Sequence, residues 1–243
     1  MGSILTTEAI VLSKVNYSDS SKIVTLLTKD AGKLSVIAKG VRKSKSNQSF
    51  ALNPLNTIQA VIYMKPGREV QLLSNADLLV HHYEIEKDFE SLKYAFAVIE
   101  LVNSVSFYSD NEEKIYRAVS RILQRINSRT DIPIDAFLRF FLFFLGEMGF
   151  AISVTECNLC RKILVGGYTV FTATNGVLCH ECASTIIERT PLNQELFLHF
   201  QCLKNGKEIN IQDEKDSILI LKMLERYASI HISNFRGLNS LRL

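Results

Sequence analysis

No stretch of this chain is apolar for long enough to cross a bilayer. Its longest apolar run, Phe140-Phe141-Leu142-Phe143-Phe144-Leu145, sits between Arg139 and Glu147, far short of the ~20 residues a spanning helix needs. It reads as a buried helix. The phosphate-cradling G-x-x-x-x-G-K, the nucleophile elbow G-x-S-x-G and a carboxylate cluster beside the cysteines are all missing, so the sequence offers no site for nucleotide hydrolysis or for acyl transfer. A basic leader segment with a cleavage site is missing as well, and the expectation is a cytoplasmic protein without a membrane partner. Long linkers, internal repeats and low-complexity segments do not occur either.

Charge of one sign is absent locally rather than globally. The net charge of +3 is small, but residues 1–80 hold ten lysines and arginines against five acids, and no acid stands between Asp30 and Glu69. Lys33, Lys39, Arg42, Lys43, Lys45, Lys65 and Arg68 all fall inside that gap. The residues from 81 to 155 reverse the balance, with eight cations against eleven acids.

Of five cysteines, four form two C-x-x-C pairs, Cys157-Asn158-Leu159-Cys160 and Cys179-His180-Glu181-Cys182. Two such pairs at this separation match a tetrahedral zinc site. The segment between them, Val165 to Thr172 with Asn175-Gly176 as the turn, reads as two short strands that fold one pair back onto the other. Four thiolates leave no open coordination position, so one zinc ion would hold structure here rather than activate water. A disulfide pair and a redox dithiol are the competing readings of the same thiols, and His180 is a spare ligand. The sequence His82-Tyr83-Glu84 contains the H-x-E of zinc deaminases, but no proline precedes either cysteine pair. Cys202 reads as an ordinary thiol on a helix.

The first third is a series of β-branched runs separated by turn residues. Strands are expected over 7–15, 22–28, 34–38, 58–64 and 70–73, the last two joined by the hairpin signal Lys65-Pro66-Gly67-Arg68. Five short strands in about eighty residues point to a small closed barrel, with the OB-fold as the leading candidate. Between the third and fourth strands, Lys39-Gly40-Val41-Arg42-Lys43-Ser44-Lys45 alternates cations with small residues, a loop suited to a phosphate backbone. With their neighbours in the acid-free stretch, Lys33, Lys39, Arg42, Lys43, Lys45 and Arg68 are the candidate residues for binding the phosphates of a nucleic acid. Tyr17, Phe50 and Tyr63 read equally as stacking faces for bases and as barrel core.

Beyond residue 82 the period changes to that of helices. One is expected from Phe89 to Phe107, a second after a cap at Ser109-Asp110-Asn111, and a Phe-rich third opened by Pro133 and Asp135. A fourth is expected from Pro191 to Leu203 and a last from Asp213 to Ile232. On the second helix Ile115, Val119, Ile122 and Ile126 mark the apolar side. Arg117, Arg121 and Arg125, spaced four apart, form a basic stripe. This stripe is the candidate rim for an acidic partner tail. The expected class is α+β, with an OB-fold barrel over residues 1–80. A helical domain follows over 81–243, carrying a four-cysteine zinc knuckle at about 153–184.

Certain residues carry a family resemblance. Glu8-Ala9-Ile10-Val11-Leu12, Thr28 with Gly32-Lys33-Leu34, Ala38-Lys39-Gly40-Val41-Arg42 with Ser46, the order of the cysteines and the ending Leu238-Asn239-Ser240-Leu241-Arg242 together resemble the RecO family of recombination mediators. The resemblance implies a bacterial, nucleoid-associated protein that makes and breaks no bonds. It implies binding of single- and double-stranded DNA and annealing of complementary strands. It also implies action with RecR to load the recombinase RecA onto DNA coated by single-stranded-DNA-binding protein, reached through that protein's acidic C-terminal tail. The alternative from another class is an RNA-binding or ribosome-associated zinc protein, because barrels and knuckles of these types serve RNA equally.

Overall fold

Alternation between apolar and polar residues along the first eighty positions turns one face of each strand inward, and five such strands close on themselves. The computed structural model describes residues 2–42, 47–105, 112–207 and 214–242. Its barrel is built of β1 (Ser3–Tyr17), β2 (Ser21–Thr28), β3 (Gly32–Ala38), β4 (Thr57–Met64) and β5 (Val70–Val80), in the closed order β1-β2-β3-β5-β4. All neighbours are antiparallel except β3 and β5. Ala9, Val11, Val24, Leu26, Val36, Ile58, Ile62 and Leu73 fill the interior. An extra residue in β1 between Val11 and Ser13 shifts its register against β2, and this bulge lets one long strand bend to pair with both β4 and β2.

A short helix, α1 (Asn47–Ala51), stands between β3 and β4; one turn and a half is too little for its periodicity to show in the sequence. Three helices follow the barrel: α2 (Tyr83–Glu86), α3 (Phe89–Asn103) and α4 (Glu112–Asn127). Asp88 caps α3, accepting from the Ser91 amide at 2.8 Å. The cap expected at residues 109–111 lies outside the described residues. On α4 the expected apolar side is buried, with Ile115, Tyr116, Val119, Ile122, Leu123 and Ile126 inward, and the helix packs on β2, β3 and α3. The Tyr116 hydroxyl donates to Glu8 of β1 at 3.0 Å; burial, together with this carboxylate, pushes its pKa up. The chain divides into two compact units, Met1–Thr130 and Asp131–Leu243. Helices α2 to α4 therefore belong with the barrel.

The second unit begins with α5 (Pro133–Glu147), which has proline in its first turn and Phe137, Phe140, Phe141 and Phe144 buried. It packs against α6 (Gln194–Asn205) and α7 (Glu214–His231). Arg139 of α5 donates to the carbonyls of Cys202, Leu203 and Lys207, closing the end of α6. One turn earlier on α5, Asp135 accepts from the Ser217 hydroxyl at 2.6 Å and faces His199 Nε2 at 3.6 Å, all three buried. Pro191 does not open a helix. It lies in β8 (Thr190–Leu192), and α6 starts after Asn193, whose side chain accepts from Leu196 N. Proline fits β8 because this strand has a neighbour on one side only, β6 (Thr169–Thr172). On α7 the inward side is carried by Ile220, Leu221, Met223 and Leu224, while Ile218 is exposed. Among the described residues no helix is long and apolar enough to cross a membrane.

Candidate metal centre and nucleic-acid interface

The two C-x-x-C pairs meet as their spacing demands. Strands β6 and β7 (Gly176–Cys179) form a hairpin, and Gly176, at φ 73°, makes its turn. A methyl group there would press on Asn158 and Ile152 at 3.3 Å. Asn158 ties the first knuckle to this hairpin: its side-chain amide donates to the Val177 carbonyl at 2.8 Å and its own backbone amide donates to the same oxygen at 3.1 Å. The result brings Cys157, Cys160, Cys179 and Cys182 together with all four sulfur atoms within 4.8 Å of one another.

These sulfurs fit a single tetrahedral cation. A Zn–S bond of ~2.3 Å gives a tetrahedral edge of about 3.8 Å, and Cys160 Sγ lies 3.7 Å from Cys179 Sγ. That separation is far beyond a disulfide bond of ~2.05 Å, and all five cysteines are free thiols. Burial of Cys157 opposes its ionisation, but the backbone amides of Cys160, Cys179 and Leu159 hold its pKa at about 6. Cys182 goes the other way, pushed up to about 12 by its hydrogen bonds with Cys160 and Cys179. A divalent metal held among the four sulfurs would favour the thiolate form at each of them. The module packs on α6 and α7, through Phe171 against Phe200 and Tyr227. Phe171 points out of the hairpin toward those two helices.

On the barrel the candidate cations take different positions. Lys33 is not displayed. Its ammonium donates to the carbonyls of Val105 and Asn103, the latter at 2.9 Å, and reaches that of Val102 at 3.4 Å. It thus ties β3 to the C-terminal end of α3, and burial lowers its pKa. Lys39 is exposed just beyond β3, and Arg42 is exposed with its guanidinium folded onto the Ser18 carbonyl of the β1–β2 turn. Lys43 and Lys45 lie outside the described residues. Arg68 is exposed on the β4–β5 hairpin, which buried Gln71 braces by bonding to Lys65 N at 2.8 Å and Arg68 O at 2.6 Å. Arg68 precedes and Lys39 follows the parallel ladder from Ser35–Val70 to Ala38–Leu73. At ~3.3 Å per residue the two cations stand about 20 Å apart along it.

Tyr17, Phe50 and Tyr63, ambiguous in the sequence, are all outside the core, at 52%, 46% and 46% exposure. Arg117, Arg121 and Arg125 line the solvent side of α4, with Arg117 paired to Glu113. A feature that sequence reasoning missed lies in the second unit: a groove of about 480 Å³ between α7 and the segment after the second knuckle. Phe171 and Met223 line it with Lys222 and Arg226, and Ile187 beside them is 96% exposed. No periodic pattern marks it, because two elements distant in sequence form it.

Barrel, helices and cysteine centre define the class: a protein with an N-terminal OB-type barrel followed by a helical part with a four-cysteine metal-binding arrangement. Comparison with known proteins narrows it. Residues 1–81 match the family model described as Recombination protein O N terminal, and residues 86–242 match Recombination protein O C terminal. The chain belongs to the RecO family. It is 26% identical to the DNA repair protein RecO of Chlorobaculum parvum (strain DSM 263 / NCIMB 8327), over 94% of this chain and 93% of that one. It is 25% identical to that of Thermoanaerobacter sp. (strain X514), over 94% and 91%. A third, from Salinibacter ruber (strain DSM 13855 / M31), is 34% identical over 51% of this chain and 48% of its own.

Proposed function

We propose that this chain is a non-enzymatic DNA-repair mediator of the cytoplasm, associated with the nucleoid. On this reading it binds single- and double-stranded DNA through its barrel and anneals complementary strands. With RecR it helps load RecA onto DNA coated by single-stranded-DNA-binding protein. The observation that supports this reading is that Lys39, Arg42, Lys65 and Arg68 stand exposed on the barrel unit and come from a stretch, residues 31–68, that holds no acid. Bringing two polyanions together costs repulsion, and a fixed cationic surface lowers that cost. Family membership and the names of the relatives point the same way.

In this reading Cys157, Cys160, Cys179 and Cys182 hold one structural zinc ion, which fixes the hairpin bearing Phe171. For the acidic tail of single-stranded-DNA-binding protein two seats compete: the stripe Arg117, Arg121 and Arg125, and the groove at α7. The stripe offers charge alone, whereas the groove joins Lys222 and Arg226, the latter paired with Glu188 of the same groove, to an apolar lining.

The test is the salt dependence of single-strand binding. Each phosphate contact contributes about 0.7 to the log–log slope. Replacing Arg42 and Arg68 together by alanine is expected to lower affinity and to reduce the slope by about 1.4. An unchanged slope would move the DNA site off this face, and a strong preference for structured RNA would move the protein out of the proposed class.

A further inference from the structure

The register of the barrel places six apolar residues in one unbroken line. Ile4 pairs with Tyr63, Tyr63 with Leu72, Leu72 with Ile37, Ile37 with Ile23, and Ile23 with Val15, where the line returns to β1. Directly paired residues share a face of the sheet. Their chain neighbours Ile62, Leu73, Val36 and Val24 belong to the interior cluster and Leu5 packs against it, so Ile4, Tyr63, Leu72, Ile37 and Ile23 face outward, and Val15, paired with Ile23, shares their face. The line therefore winds once round the outside of the barrel. Its ends are open, with Ile4 at 62%, Tyr63 at 46% and Val15 at 59% exposure, and its middle is half-buried.

The surroundings of this line say what suits it. At outward positions two residues along their chains stand Thr6, Val61, Ser35, Thr25 and Ser13, none of them acidic. Lys39 lies beyond Ile37 on one side, while Lys65 and Arg68 lie beyond Tyr63 and Leu72 on the other, all exposed, with Glu69 the one acid among these border positions. Tyr17, exposed two residues past Val15, extends the far end. An apolar strip bordered on both sides by cations complements a ligand with flat apolar faces and an anionic edge. Unpaired nucleic acid has that chemistry; in a duplex the base faces are already stacked on one another.

We infer that this winding apolar line is a base-stacking track for an unpaired strand. Tyr63 is its principal platform, at the seam of β1 and β4, and Lys39, Lys65 and Arg68 hold the phosphates beside it. The inference rests on the DNA-binding reading and extends it by assigning the strand's bases a seat. It gives the barrel a reason to favour single strands over duplexes, because the cations serve both but the track serves only exposed bases.

The experiment compares the full chain binding to oligothymidylate with its binding to an abasic phosphodiester oligomer of equal length, by fluorescence anisotropy. Phosphate charge is the same in both. The native chain is expected to bind the thymidylate roughly tenfold or more tightly. Tyr63→Ala and, separately, Ile4→Ser are expected to move that ratio toward one while abasic binding and the salt slope stay as they were. Tyr63→Phe keeps the ratio, and Tyr168→Ala, an exposed tyrosine of the second unit, leaves it untouched. Both test residues are exposed, so melting curves are expected to match the native chain. Equal binding of the two oligomers by the native chain, or a ratio that survives both substitutions, would overturn the track while leaving DNA binding in place. Failure of the native chain to bind either oligomer would overturn the DNA-binding reading itself.

Discussion

Removing the metal from the four-cysteine centre is expected to loosen the second unit, and the size of the effect follows from the site. Structural zinc contributes ~10–16 kcal/mol of apparent binding free energy near neutral pH, equivalent to a dissociation constant between about 50 nM and 2 pM. At ~1 µM free zinc, mass action then stabilises the folded unit by roughly 2–8 kcal/mol. That energy acts on more than the knuckles, because the hairpin they hold carries Phe171 into contact with Phe200 of α6 and Tyr227 of α7. For a unit of this size each kcal/mol moves the melting temperature by about 4–8 °C, so chelation is expected to lower it by at least ~8 °C. Cys157→Ser is expected to behave alike with zinc present, since it removes the buried sulfur that accepts from the Cys179 amide at 3.4 Å. Scanning calorimetry with and without chelator reads the shift, and a colorimetric zinc assay reads the stoichiometry, expected to be one. A chain that takes up no zinc, or one that releases it with unchanged melting, would refute the reasoning.

Further outcomes are expected elsewhere in the molecule. Lys33→Met removes the tie between β3 and the end of α3, so it lowers the melting temperature of the barrel unit and leaves the salt slope of DNA binding unchanged; a slope reduced by about 0.7 would instead place Lys33 on phosphate. Asp88, whose pKa the hydrogen bonds from Ser91 hold below the usual value, contributes cap stability that is fully present above the unfolded carboxyl pKa of ~3.9 and is lost as pH falls through the lower folded value. Asp88→Ala is accordingly expected to cost about 1 kcal/mol in denaturant melts at neutral pH, with the difference shrinking as the medium is acidified through that window; a difference independent of pH would refute the assignment. Charge reversal at Lys222 and Arg226 is expected to weaken binding of an acidic tail peptide more than reversal at Arg121 and Arg125, measured by titration calorimetry. The opposite order would assign the tail to α4.

Much of the molecule was legible from residue order because its signals are local. The β-branched alternation of β1 to β5 and the turn residues between them announce a barrel, and the paired C-x-x-C spacing announces the metal centre. Other features depend on contacts that no local pattern encodes. Lys33 looks like any other cation of the acid-free stretch until α3 arrives some seventy positions later with its carbonyls. Pro191 looks like a helix start until β6 takes it as a strand neighbour. The outward apolar line is invisible in sequence because its six members come from five strands and are joined only by their register. Exposure of Tyr17 and Tyr63 was undecidable for a related reason: in a barrel this small, one residue of register separates core from surface.

The central claim is that a cationic barrel surface lets this chain bring complementary strands together. It is tested most directly by the annealing rate of complementary oligonucleotides coated with single-stranded-DNA-binding protein, with no protein, the native chain, or the Arg42→Ala/Arg68→Ala variant. The account predicts that the native chain accelerates annealing and that the variant, equally folded, loses most of the acceleration. No acceleration by the native chain, or equal acceleration by both, would contradict it.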